Sequence, residues 1–143
     1  MFVVKFKKTD SKAITPKSAH EGDAGLDLCS IEQKTLNPKE FGLIRTGICI
    51  QLPSDTEAQI RPRSGLALNY GVTVLNTPGT IDESYRGEIG VILINNGDEP
   101  FEISVGMKIA QIVIKPTFKT IFEETAVFSE SERGERGFGS TGG

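Results

Sequence analysis

Apolar and polar residues alternate along most of this chain in short runs, each stopped by Gly, Pro or Asn. Phe2 to Phe6 alternates, Gly25 to Cys29 forms a short run, and Gly47 to Leu52 places Ile48, Ile50 and Leu52 on one face before Pro53 stops it. Further runs lie at Glu57 to Arg61, Val72 to Leu75, Ile89 to Asn95, Phe101 to Ser104 and Ile109 to Lys115. A period of two over so many short segments predicts an all-β chain, closed or two-layered and antiparallel. Asn95-Asn96-Gly97 fits a hairpin turn, because Asn and Gly accept positive φ. One short helix is expected, capped by Ser64, carried by Leu66, Ala67 and Leu68, and ended by Gly71. No internal repeat is visible.

Between the runs at Val72 to Leu75 and Ile89 to Asn95 lies Asn76 to Glu88, punctuated by Pro78, Gly79 and Gly87. This predicts a stiff hairpin that holds Asp82 and Tyr85. An Asp in a turn is commonly only a turn residue, so the hairpin acquires meaning from the rest of the chain. Ser129 to Gly143 differs in kind: it is polar and Gly-rich, with Phe138 its one apolar side chain, and cannot bury enough surface to fold alone. The expected organisation is therefore a β domain over 1–128 and a flexible arm over 129–143. A frayed terminus is the ordinary reading of such an arm. Yet its glycines can turn amides toward an anion, Ser140 and Thr141 bring hydroxyls, Arg133 a planar cation and Phe138 a stacking ring. It is not a Walker loop, since no Gly-Lys-Ser/Thr follows a strand.

Composition narrows the field. The 143 residues suit one domain, and 16 Lys+Arg against 19 Asp+Glu leave no bulk attraction to nucleic acid or anionic membranes. No window has the apolar length of a membrane span, and the first residues mix charge with apolar side chains, unlike a signal peptide; a cytoplasmic protein is expected. Cys29 and Cys49 lack CxxC or Cys/His spacing and read as buried small hydrophobes. His20 is the only histidine, which excludes a histidine-rich metal site.

Other stretches set polar groups at element edges. Arg61-Pro62-Arg63-Ser64-Gly65 joins cations, a hydroxyl and a helix start, a site for phosphate or merely a cap. Asp23 and Asp27 would share a side if extended, and Gln111 sits in an apolar strand, where it must find a backbone partner or face a ligand.

DAGLDL at 23–28, RPRSGLA at 61–67, NTPGTIDESYRG at 76–87, GMKIAQ at 106–111 and RGERGFGSTG at 133–142 together resemble the ordered motifs of the homotrimeric dUTP pyrophosphatases, the dUTPases. The resemblance spans nearly the whole chain. It implies a jelly-roll-like β subunit, a homotrimer with active sites shared between subunits, and Mg2+-dependent hydrolysis of dUTP to dUMP and pyrophosphate, which limits uracil in DNA and supplies dUMP for dTMP synthesis. By the same resemblance Asp82 is the general base that activates water against the α-phosphorus. Asn76, Gly79, Thr80, Ile81 and Gly90 read the uracil edge, and Tyr85 lies under the deoxyribose, where a 2′-hydroxyl would clash. Arg63, Ser64, Gly65 and Gln111 hold phosphates, and Asp27 reaches the metal only through its waters, the ion otherwise being held by substrate phosphates. In the arm, Arg133 contacts phosphate, Phe138 stacks on uracil, and Gly139, Ser140 and Thr141 close over the γ-phosphate.

Leu26 stands where many members have Tyr, and Glu135-Arg136 where small residues are frequent; altered affinity is the expected consequence. A dCTP deaminase shares the fold, but its catalytic Glu would fall at Ile92, which cannot move a proton. A non-catalytic nucleotide-binding module or a plain structural β domain would use the same scaffold, but Asp82, Tyr85 and Phe138 together argue against lost catalysis.

Overall fold

The computed structural model describes residues 1–142; Gly143, the last residue of the expected arm, lies outside them. Ten strands and one helix follow in order: β1 (Lys5–Lys8), β2 (Leu26–Cys29), β3 (Lys34–Leu36), β4 (Phe41–Gln51), β5 (Thr56–Arg61), α1 (Ser64–Tyr70), β6 (Val72–Val74), β7 (Gly79–Ile81), β8 (Glu88–Asn95), β9 (Phe101–Ile103) and β10 (Lys108–Pro116). All strand pairs are antiparallel. One sheet has the order β1-β4-β8-β6, a second β2-β10-β5-β7, and β3 pairs with β9 in a third. This is the all-β, antiparallel architecture that the alternation predicts, with the one short helix expected and the jelly-roll-like form that the family resemblance implies.

The core lies between the inner faces of the sheets. Along β8 the alternation is strict: Ile89, Val91, Leu93 and Asn95 are buried, while Glu88, Gly90, Ile92 and Ile94 are partly exposed on the other face. Ile44 and Ile48 of β4, Leu28 of β2, Ile60 of β5 and Ile109 of β10 complete that interior. Burying an aliphatic side chain of this size stabilises the fold by roughly 1.5–3 kcal/mol before the entropy cost of ordering it. Two buried polar residues are satisfied locally. Thr46 Oγ1 donates to the Ile89 carbonyl at 2.6 Å inside a bulge of β4, and Asn95 Nδ2 donates to the carbonyls of Leu36 and Glu99, both at 2.8 Å.

Several expectations shift. Phe2 to Val4 stays outside the first strand, which begins at Lys5 and is exposed throughout. The run at 47–52 is the second half of a longer strand starting at Phe41, hidden because a bulge between Arg45 and Cys49 breaks the alternation. Asn95-Asn96-Gly97 closes no hairpin, because β8 and β9 lie in different sheets. Its Asn95 Oδ1 instead accepts from the Gly97 amide at 2.9 Å. Ser64 is the first helical residue, not the cap: Arg63 occupies the N-cap, with no side-chain cap bond. Gly71 ends the helix as expected, at φ 68°, where an added Cβ would also stand 2.8 Å from the Gly97 amide nitrogen.

Candidate active site

The two runs flanking the expected hairpin do pair, but the stretch between them is not a simple turn, because its middle forms β7 and crosses to the other sheet. β6 pairs with β8, Val72 opposite Asn95 and Val74 opposite Leu93. The connection then gives β7 to the other sheet, where Gly79 pairs with Ile60 and Ile81 with Ala58. The turn that follows is thereby anchored in both sheets. Thr80, Ile81, Asp82, Tyr85 and Gly90 line one cavity of about 200 Å3. Asn76 lies over β7: a Cβ on Gly79 would stand 3.2 Å from its amide nitrogen.

Tyr85 is held at both ends. Its amide donates to the Asp82 carbonyl at 3.1 Å, and its hydroxyl donates to the Glu88 carbonyl at 3.0 Å. Gly87 lies flush against the ring, so that a Cβ there would collide with the hydroxyl end. The Glu88 carboxylate is fixed in turn by Arg45, with Nε at 2.9 Å and Nη2 at 3.1 Å, and by the Thr9 hydroxyl at 2.6 Å. The Arg45 bonds come first in holding the Glu88 carboxyl below the usual carboxylate range, against an opposing push from burial.

A second cavity of about 340 Å3 is lined by Asp27, Arg63, Ser64, Gly65, Tyr70 and Gln111. The first helical bond runs from the Ala67 amide to the Arg63 carbonyl, which leaves the amides of Ser64, Gly65 and Leu66 without helical acceptors. Gln111 faces Asp27 across β10 and β2, and its Nε2 donates to the Pro62 carbonyl at 3.0 Å. So Gln111 has the backbone partner and also lines the cavity. Gly25 is needed beside it, since a Cβ there would strike the Gln111 amide oxygen. Asp23, by contrast, is drawn away from Asp27 into a turn, where its Oδ2 accepts from the His20 amide at 2.8 Å.

The Asp27 side chain is only 16% exposed and carries two cations: Arg63 Nε stands 3.3 Å from Oδ1, and Lys108 Nζ 2.7 Å from Oδ2. Oδ2 is buried, and the Lys108 ammonium compensates its charge at 2.7 Å. Among the described residues no three His, Cys, Asp or Glu side chains gather to hold a metal. Asp27 is the one carboxylate among the described residues that line this cavity, and each of its oxygens faces a cation. Burial first, and then the Asp27 charge, push the Cys29 thiol up, consistent with an inert core cysteine.

The arm stands apart from both cavities. The last backbone bond from this end of the chain into the β body is from the Thr117 amide to the Asp55 carbonyl at 2.9 Å, and beyond it the backbone bonds of the arm are local, such as Ser140 to Gly137. Phe138 is fully exposed. Arg133, Ser140 and Thr141 line a concavity of the arm's own, with Gly139 at φ 86° in its turn. Lys108, Gly25 and the Arg45–Glu88 pair escape a sequence reading. Lys108 is three positions from Gln111 and should point to the opposite face; only the bulge between Lys108 and Ala110 sets both toward Asp27.

Fold and site define a class: an all-β protein that offers a carboxylate on a doubly anchored turn and, elsewhere on its surface, a cation-lined cavity. The family model described as dUTPase matches residues 11–142. The chain is 68% identical over 136 residues to the deoxyuridine 5'-triphosphate nucleotidohydrolase of Clostridium novyi, covering 95% of this chain and 96% of that one. It is 58% identical to that of Clostridioides difficile over 99% of both chains. Its fold is similar to the dUTPase of Staphylococcus bacteriophage 80alpha, solved with dUPNHPP, at TM-score 0.92, 27% identity and 98% coverage of each chain. The chain belongs to the dUTPase family and is an enzyme of that family, a dUTP diphosphatase.

Proposed function

We propose that this chain hydrolyses dUTP to dUMP and pyrophosphate with Asp82 as general base. The observation that carries the reading is the single cavity lined by Asp82, Tyr85 and Gly90 on a turn anchored in both sheets. Asp82 takes a proton from water, whose oxygen forms a bond to the α-phosphorus. The bond from that phosphorus to the bridging oxygen breaks, and its electron pair leaves on pyrophosphate. A carboxylate on a rigid turn suits this step, since positioning supplies much of the rate.

Backbone groups of Gly79, Thr80 and Ile81, with Asn76 and Gly90, read the uracil edge. Cytosine would present its donor and acceptor reversed there and leave polar groups unpaired. The Tyr85 ring, pinned between Gly87 and the Glu88 carbonyl, fills the space a ribose 2′-hydroxyl would need. Arg63, the free amides of Ser64 and Gly65, and Gln111 bind the phosphates. Asp27 would face the water shell of a Mg2+ ion held by the phosphates, and such an ion would supply neutralisation of the phosphate charge. Arg133 contacts phosphate, Phe138 stacks on uracil, and Gly139, Ser140 and Thr141 cover the γ-phosphate as the arm closes.

The two cavities have no lining residue in common, and the arm reaches neither. We therefore place the complete site between subunits of a homotrimer. An apolar outer face supports this, with Phe41 opposite Ile94 and Leu43 opposite Ile92, and Phe41 and Leu43 more than half exposed. Among the described residues no helix is long and apolar enough to cross a membrane. We assign the enzyme to the cytoplasm, a reading that its two free, buried cysteines support. Pyrophosphate release from dUTP, UTP, dCTP and dTTP tests the assignment. Mg2+-dependent turnover confined to dUTP is expected; ammonia from dCTP, or binding without turnover, would replace it with a deaminase or a regulatory module.

A further inference from the structure

We propose that Lys108 is a ligand of the triphosphate, which the free enzyme stores on Asp27 and releases to the phosphates when the nucleotide arrives. The proposal rests on the dUTP-hydrolysing reading above and adds to it a residue outside the set assigned to substrate. Its basis is a cluster of Asp27, Arg63 and Lys108 in which one carboxylate is shared by two cations. The cluster carries a net positive charge, and its Asp27 and Arg63 line a cavity that also offers Ser64, Gly65 and Gln111, with Lys108 behind that lining on Asp27. A bulge in β10 exists at the position that aims Lys108 toward Asp27, and it leaves Gln111 facing the same carboxylate.

The two partners are unequal. Asp27 is fixed on β2 and 16% exposed, whereas the Lys108 side chain is 48% exposed on a flexible stem. The Lys108 ammonium meets Oδ2 as a point charge at 2.7 Å, a contact that a phosphate oxygen can replace. Arg63 strengthens the arrangement by reaching the Lys108 carbonyl through Nη1 at 3.4 Å while its Nε faces Asp27. In the free state Lys108 screens a carboxylate that would otherwise repel phosphate. When the nucleotide arrives, the ammonium group turns from Asp27 to a phosphate oxygen beyond the α position.

The test is calorimetric binding of the non-hydrolysable α,β-imido analogue of dUTP and of dUMP, each with Mg2+ and with EDTA, to wild type, Lys108→Met and Lys108→Arg. Lys108→Met should weaken the analogue by about tenfold or more, the value of a hydrogen bond to a charged group, and leave dUMP unchanged. The loss should be larger in EDTA, where the bare Asp27 faces the phosphates, and adding Asp27→Asn should remove that excess. Lys108→Arg should retain most of the affinity. Equal analogue binding by Lys108→Met and wild type overturns the proposal, as does an equal loss for dUMP. If Lys108→Met fails to fold by circular dichroism, Lys108→Gln is read by the same criteria. Failure of the wild type to bind the analogue would strike the dUTP reading instead, and so the two are separable.

Discussion

At Gly87 a single methyl group would meet the Tyr85 ring, the ring that the proposed function sets under the deoxyribose. Gly87→Ala is expected to tilt the ring away from the deoxyribose and raise UTP turnover relative to dUTP, as Tyr85→Ala should by removing it. A UTP to dUTP ratio of kcat/KM that stays at the wild-type value in both variants would mean that the sugar is read elsewhere. Asp82→Asn keeps the side chain's size and removes its basicity. Turnover should fall by roughly 10²- to 10⁴-fold, the usual worth of a general base, while affinity for the imido analogue is kept. That Asp82 and Tyr85 share a turn was legible in sequence, because their motif is contiguous and Pro and Gly announce the turn. Gly25 and Lys108 were not, since their roles depend on which strand lies beside β10 and on a bulge that alternation does not reveal.

Among elements, the bulged strand β4 and its partner β8 carry the charge pair that steadies Tyr85 from behind. Arg45 bonds the Glu88 carboxylate and holds its titration below the usual range. A carboxyl whose folded value is depressed contributes stability above its unfolded value, near 4.5, and loses it as pH falls through the folded value. Arg45→Met should therefore lower the melting temperature by a few degrees at pH 7, and this difference should shrink as the pH drops below about 4.5. A deficit of constant size at all pH values would assign Arg45 a packing role only. Sequence periodicity found β8 and β10 because their buried faces alternate or nearly so. It missed β3, the first half of β4 and β7, which are short or bulged and contribute to sheets through partners distant in the chain.

The whole molecule has more apolar surface than one subunit can use. Phe41, Leu43 and Leu75 are exposed on the β body, and Phe118, Ile121, Phe122, Val127 and Phe128 are exposed between β10 and the arm. Surface of that kind belongs against another chain, and in the proposed trimer copies of this one would bring what each site lacks. Native mass measurement should give a trimer, and Leu43→Glu should yield folded, inactive monomers by placing charge in the apolar face. A sharper consequence concerns which chain supplies which wall. Asp82→Asn removes the base but keeps the arm; deletion of 129–143 removes the arm but keeps the base, and the β body should still fold, since the arm's backbone bonds are its own. Each protein alone should be nearly inactive. Denatured together and refolded, they should form mixed trimers in which a hairpin from the truncated chain meets an arm from the substituted one, and dUTP hydrolysis should return. If hairpin and arm came from the same chain, no site of a mixed trimer would combine an intact Asp82 with an arm, and the refolded mixture would stay as inactive as its parts.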